Sequence, residues 1–387
     1  MDSAIKIYTR DSLHQLAWPA TPDGDYARRF LTPLIKDGTL AYFDNIDAEI
    51  QVLEADGQIF PLVLGNLAPR VKNSYVASPM SHYIDYGREE MDIELHDYPW
   101  LKAPLKPLVG FLEQAFRATG LEKVVLVNNW LLSTNLYPGF ATDRLEAITR
   151  KLVAAFPDRV IVFRSVNTLL NQTIYDQLLG LDYAPVFSRQ VYILDPAKKL
   201  YQSKDSYKRD LRIARRTDYV WESRKQLTPR EIAHLRILYD DLYLHKYSTL
   251  NPQFNTRFIE AALELDWLEM AWLRKPGREL PDAVIGWFAR DGVMTAPLVG
   301  YDRSQPEKAG LFRLATLKLL QEAVSRNWIL HQSSGVSKYK LHRGAEAAME
   351  YNMVYYRHCS ARRQWPWRTL KLLTDKLLEP MMKQLGL

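Results

Sequence analysis

Three side chains in the last third of the chain are equipped to move a proton. They are Tyr301 in TAPLVGYD, His331 in WILHQSSG and Glu346 in HRGAEAAMEY. Histidine titrates near physiological pH and can take a proton from an ammonium group. A phenol, with an ordinary pKa of roughly 10, can hand one to a departing anion. His342 and Glu346 stand four apart, which puts them on one face if their segment is helical. Each has a plainer alternative: Tyr301 as an aromatic strand edge and His331 as a hydrogen-bonded strand residue. No Ser–His–Asp order and no metal-ligand spacing competes, so no metal is expected.

Charge is gathered in two further places. SYKRDLRIARR sets Lys208, Arg212 and Arg215 at spacings of four and three, one face of a helix. That face suits phosphates, or it is a solvated face paired with Asp205, Asp210 and Asp218. GVSKYKLHRGAEAAMEYNMVYYRH brings Lys338, Lys340 and Arg343 ahead of Gly344 and an apolar alternation. In NSYVASPMSHYIDYGREE, Ser74, Tyr75, Ser78, His82 and Tyr83 crowd a stretch without a period. Such residues line a pocket or cap a loop.

These residues need a scaffold. The chain has 387 residues, enough for two domains. Asp56-Gly57 and Asp291-Gly292 are hairpin turns between strand patterns. Helices are expected over 104–120, 143–156 (started by Thr142 or Asp143), 171–183, 206–217, 228–247, 256–265 and 311–327. Strands are expected over 123–132, 159–166, 188–194, 268–275, 282–302 (broken at the turn), 328–334 and 349–358. A polar stretch, DPAKKLYQSKD, reads as a linker. The layout is an α/β (α+β) fold with two similar halves, each a mixed, mostly antiparallel sheet flanked by helices. The expected domains are 1–195 and 196–361, followed by a basic amphipathic helix over 362–387.

Composition narrows the setting. With 51 Lys and Arg against 45 Asp and Glu the net charge is +6, a mild pull towards anionic partners. A lone cysteine, Cys359, excludes an internal disulfide framework and a Cys-rich zinc site. The N-terminal stretch carries no signal pattern, and no apolar run is long enough to span a bilayer. A cytoplasmic protein is expected. In the tail, Trp367, Leu370, Leu373, Leu377 and Met381 recur at helical spacing among Lys371, Lys376 and Lys383. This is the pattern of a peripheral anchor at the inner membrane face, or of a helix packed on its own core.

Four stretches together resemble the GNAT acyltransferase superfamily, in its tandem, Fem-type branch. DAVIGWFARDGVMTAPLVGYD resembles the central hairpin, LFRLATLKLLQEAVSRN the helix after it, and DSYKRDLRIARRTDY the basic helix opening the second Fem-type domain. GVSKYKLHRGAEAAMEYNMVYY is similar to the segment before the final strand. The resemblance covers most of residues 50–358. The usual phosphate loop, Gln/Arg-x-x-Gly-x-Gly/Ala, is reduced here to QPEKAGLFRLA.

The resemblance implies an N-acyltransferase. An acyl group would pass from a thioester, acyl-CoA or acyl-carrier protein, to an amine on a small molecule, an amino acid or an amino-lipid. No permanently bound cofactor is implied. Tyr301, His331 and Glu346 become the acid–base candidates. A bulge is implied near Pro297. Val299, Gly300, Lys308, Gly310, Arg313, Lys338, Lys340 and Arg343 become donor-binding candidates. Ser78, His82, Tyr83, Lys208, Arg212 and Arg215 become acceptor-side candidates. Two alternatives stand: transfer from charged tRNA, the one nucleic acid the branch implies, and a degenerate pair acting as a binding subunit.

Overall fold

A computed structural model describes residues 5–89, 99–139 and 144–380. The expected helix start at Thr142 or Asp143 and the tail residues Met381 and Lys383 lie outside them.

Twelve strands among the described residues form one sheet. They are β1 (Lys6–Tyr8), β2 (Glu49–Ala55), β3 (Gln58–Leu64), β4 (Val124–Val127), β5 (Val160–Asn167) and β6 (Ala184–Leu194) in the first half. The second half adds β7 (Val220–Glu222), β8 (Glu269–Arg274), β9 (Ala283–Arg290), β10 (Val293–Tyr301), β11 (Ile329–His331) and β12 (Glu346–Tyr355). Their spatial order is β1-β2-β3-β4-β5-β12-β6-β11-β10-β9-β8-β7. The last strand of the chain therefore lies inside the first half, antiparallel to both β5 and β6. In turn β6 pairs with β11, so the two halves interleave. Pairing is antiparallel except for β4 with β5 and β10 with β11.

Local sequence explains much of this. VIVFRSVN is apolar and β-branched, and all eight residues of β5 are buried, as a central strand covered on both faces requires. Both expected Asp-Gly turns form, with Asp56 and Gly57, and Asp291 and Gly292, all at positive φ. Among the described residues, the α-helices of five residues or more are α1 (Pro22–Asp37), α2 (Pro99–Thr119), α3 (Leu145–Ala155), α4 (Gln172–Gly180), α5 (Asp205–Arg216), α6 (Pro229–Asp240), α7 (Thr256–Glu264), α8 (Leu311–Arg326), α9 (Ser337–Leu341) and α10 (Ala361–Leu373). Thr228 caps α6 through a reciprocal pair of hydrogen bonds with Glu231.

Sequence patterning misses α1, whose Pro33 interrupts the signal. Its Thr21 cap, which accepts from Gly24 N–H, was the available clue. This helix brings Tyr26 and Phe30 against Trp130 of the first half and Phe288 and Trp267 of the second. Arg290 on β9 donates to Asp23 at 2.6 and 2.8 Å, and to Asn128 Oδ1 and Leu136 O at 3.2 and 3.0 Å. The halves are thus tied by a buried fork as well as by the sheet.

The tail divides in two. Trp367 and Leu370 are buried in the main core, and Trp367 meets Tyr83 edge-on at 6.2 Å. Leu377 is exposed. Packing on the chain's own core therefore uses the first half of the expected stripe.

Gly300 is a packing position. A Cβ there would lie 2.5 Å from the carbonyl carbon of Leu238, so β10 and α6 touch through backbone. Gly300→Ala is expected to destabilise the fold by about 1–3 kcal/mol, read as a lower urea midpoint at unchanged slope.

Candidate active site

The sheet forks beside its centre. On β10, Thr295 pairs with Phe288 and Leu298 with Gly286, so Ala296 and Pro297 together oppose the single residue Trp287. This is a β-bulge, at the place expected. On its other edge β10 pairs with β11 only from Val293 to Thr295. Beyond that point β11 ends and β10 continues to Tyr301 without a β11 partner, while the chain after His331 stays bonded to β6 through Gln332 and Ser333.

His331 stands at the fork, level with Thr295. It is 2% exposed. Its Nδ1 accepts from the Ser333 N–H at 3.1 Å, so the neutral ring carries its proton on Nε2. That nitrogen lies 3.9 Å from Glu350 Oε2. Burial, then the charges of Arg189 and Lys340, press the His331 pKa down to about 3. It is a neutral group, poorly suited to taking a proton. Glu350 is equally buried, and its Oε1 accepts from Arg189 Nε at 2.9 Å. Arg189 Nη2 is held by Ser133 O at 2.6 Å and Thr134 Oγ1 at 3.2 Å. Among the described residues, His331 Nε2 and Glu350 Oε2 have no hydrogen-bond partner.

The expected acid–base trio does not come together. Tyr301 lies six residues along β10 from the fork, about 20 Å at strand spacing, and packs on Phe312. Glu346 opens β12 rather than sharing a helix face with His342, and pairs with Lys198 at 2.5 Å. The carboxylate that stands beside His331 is Glu350, which was not among the expected residues.

The basic segment also needs correction. Lys340 turns inward: its Nζ donates to the carbonyls of Gln332, Ser334 and Ser333 at 2.6, 2.7 and 3.4 Å. Burial and the Arg189 charge lower its pKa to about 7. With its protons spent on three carbonyls, it clamps the 332–334 turn. Arg343 is forked onto buried Asp210 at 2.7 and 3.1 Å and stacks on Tyr339. Of the three, only Lys338 is exposed. The Val299 side chain is buried in the core, and the space Gly300 leaves is filled by α6 rather than kept for a donor.

Lys308, Gly310 and Arg313 fare differently. Gly310, at φ +67°, opens α8, which has no side-chain cap. Lys308 and Arg313 face Arg209, Arg212, Arg216 and Lys275 across an open groove of about 570 Å³, in which Asp218 is the one acid. Arg212, expected on the acceptor side, thus lies with Lys308 and Arg313, expected on the donor side. Lys208 pairs with Asp205 at 3.6 Å, and Arg215 does not line the groove.

On the first half, Ser78 serves an internal carboxylate. Its Oγ donates to Glu122 Oε1 at 2.6 Å, and burial lifts Glu122 to about 7. His82 and Tyr83 do approach the centre. His82 Nε2 lies 3.2 Å from Ser188 Oγ, and Tyr83 OH accepts from Asn352 on β12 at 2.7 Å. Sequence reading missed Glu350, Arg189 and Arg164. The available signal was a charge in the middle of an otherwise strand-like run, as in VIVFRSV and AMEYNMVYY.

No family model matches the chain, and no curated protein matches it. Solved structures do. FemX superposes with a TM-score of 0.50 at 7% identity, over 85% of this chain and 91% of its own. The chain has the tandem GNAT fold. A tandem GNAT protein from the clavulanic acid biosynthesis pathway aligns at 8% identity and TM-score 0.42, over 91% of this chain and 98% of its own. L-PGS from Bacillus licheniformis aligns at 12% and 0.43, over 64% and 83%. At these identities the tandem GNAT likeness speaks for the fold alone.

The two central histidines carry a pH signature. His82, like His331, is held near pKa 3, by burial and by Arg164 and Arg189. Between about pH 3 and 6.5 the unfolded chain binds protons at both that the folded chain refuses, so stability rises with pH across that window. It is complete above the unfolded value and lost as pH falls towards 3. Glu122, raised to about 7, acts in the opposite sense between about 4.5 and 7. The test is therefore differential: urea titrations should show a shallower loss on acidification for H82Q/H331Q than for the parent.

Proposed function

We propose that the protein is an N-acyltransferase that moves an acyl group from an activated, anionic thioester donor to an amine. The observation that carries this reading is the fork between β10 and β11 with an unpaired, buried carboxylate oxygen beside it. A fork beyond a bulge leaves strand backbone free of the ladder, which gives a donor's extended arm polar groups to bond. The groove at the start of α8 supplies guanidinium and ammonium groups, with the uncapped helix N-terminus, for phosphates.

The chemistry is a direct transfer. The amine nitrogen attacks the acyl carbonyl, a C–N bond forms and the C–S bond breaks. The nitrogen gives its proton to Glu350 Oε2, and the leaving thiolate takes one from solvent. Arg189 fixes the other carboxylate oxygen, and the His331 Nε2–H faces the same group, so Glu350 is oriented from two sides. His331 is a positioning residue in this scheme.

Incubation with acyl-CoA or acyl-carrier protein and a panel of amines should release free thiol in step with amide product, followed by mass spectrometry. Thiol release from neither donor would sink the reading. Product from charged tRNA alone would replace the donor class, since an open groove also admits a larger polyanion. Glu350→Gln should cut turnover by about 100- to 10,000-fold while donor binding by calorimetry is unchanged.

The groove is tested separately. R212E with K308E should raise the donor KM by roughly 10- to 100-fold, with kcat nearly unchanged and a weaker salt dependence. An unaltered KM would remove the groove from the donor site.

A further inference from the structure

Three arginines among the described residues are buried: Arg164, Arg290 and Arg343. Arg290 is paired with Asp23 and Arg343 with Asp210. Arg164, in the middle of β5, has no carboxylate partner among the described residues. Its Nη1 donates to Val76 O at 2.9 Å and Asn129 Oδ1 at 3.1 Å. A buried guanidinium without a counter-charge is expensive, because desolvation is not offset by an opposite charge. Here the cost is raised by Arg189, which pushes on Arg164 with the same sign.

Among the described residues, Glu350 is the acid whose charge both arginines feel, and it is already engaged by Arg189. Two guanidiniums against that one carboxylate leave one positive charge unmatched among the described residues. The surroundings are polar and partly open. His82 feels both arginines, and its Nδ1 is buried and without a partner. Tyr75 packs against His82 at 5.9 Å, and His82, Tyr83 and Tyr86 are partly exposed.

We propose that Arg164, backed by Arg189, binds a carboxylate on the acceptor, so that the acceptor is an amino acid or short peptide whose amine reaches Glu350 Oε2. This rests on the acyltransferase reading. A carboxylate fits better than a phosphate on two grounds. The unmatched charge is a single one, and a planar guanidinium matches a planar carboxylate through paired hydrogen bonds. The ligand would supply the missing counter-charge, and Glu350 would receive the donor that its free oxygen lacks.

The test compares carboxylates with their amides. Glycine, serine, ornithine and lysine are titrated into the protein by calorimetry, beside the corresponding carboxamides and phosphoethanolamine, without any acyl donor. At least one amino acid should bind about 10- to 100-fold more tightly than its amide. Arg164→Gln should erase that preference, and Arg164→Lys should keep part of it, with far-ultraviolet circular dichroism confirming that both variants fold. If R164Q does not fold, the parent's preference for acid over amide decides the matter. Equal binding of acid and amide, no binding of either, or binding of phosphoethanolamine alone overturns the proposal. Carboxylate binding without acyl transfer to any bound acid would keep this site and remove the acyltransferase reading.

Discussion

Arg189 and Glu350 face each other across β6 and β12, and the architecture turns on that pair. Two charges taken out of water stay buried only if each meets the other in good geometry. Here the geometry exists only when the last strand of the chain lies between two strands of the first half. A slip of β12 by one residue would turn Glu350 to the other face of the sheet and leave Arg189 unmatched. The pair therefore fixes register as well as contact. It also leaves one carboxylate oxygen without a partner beside the β10–β11 fork, where the proposed transfer would use it.

The interleaving of the halves explains why the polar centre is where it is. Arg164 comes from β5, Arg189 from β6, His331 from β11 and Glu350 from β12. His82 reaches in from the segment that crosses above them. None of these neighbours is close in sequence. The centre is assembled by strand order, and it is kept rigid by groups that spend their hydrogen bonds on backbone. Lys340 clamps the turn after β11, and Arg343 locks the end of α9 to α5 through Asp210. Charged residues that look available in the sequence are thus consumed as internal ties. The surface cations of α5 and the α8 loop stay exposed because their helix faces solvent.

Much of the fold is legible because its signals are local. The Asp-Gly hairpins need positive φ, the capping box at Thr228 is written within four residues, and VIVFRSV reads as a covered strand. A strand edge or bulge near Pro297 is legible because proline has no N–H to give to a ladder, and the family resemblance implies the bulge. The first helix is not legible, because Pro33 breaks its pattern and its stability comes from Trp130, Trp267 and Phe288, all distant in sequence. The site is legible only in part. His331 was visible as a titratable side chain on a strand, and Lys308, Gly310 and Arg313 as a phosphate-suited turn. Glu350 was hidden among apolar neighbours, four residues beyond Glu346, the glutamate singled out in the sequence.

The sequence by itself determined the element types, the two-halved layout and the basic face of α5, because each follows from spacing within one short segment. Tertiary structure alone decided which charges are buried as braces and which stay exposed. That choice depends on burial and partner, and both are set by strands brought together from 160 to 350. Gly335–His358 shows the division most clearly. Its lysines and arginine read as a binding loop, yet two of the three cations are internal braces. Its contribution to the centre is Glu350, carried into place by a strand that crosses into the other half of the molecule.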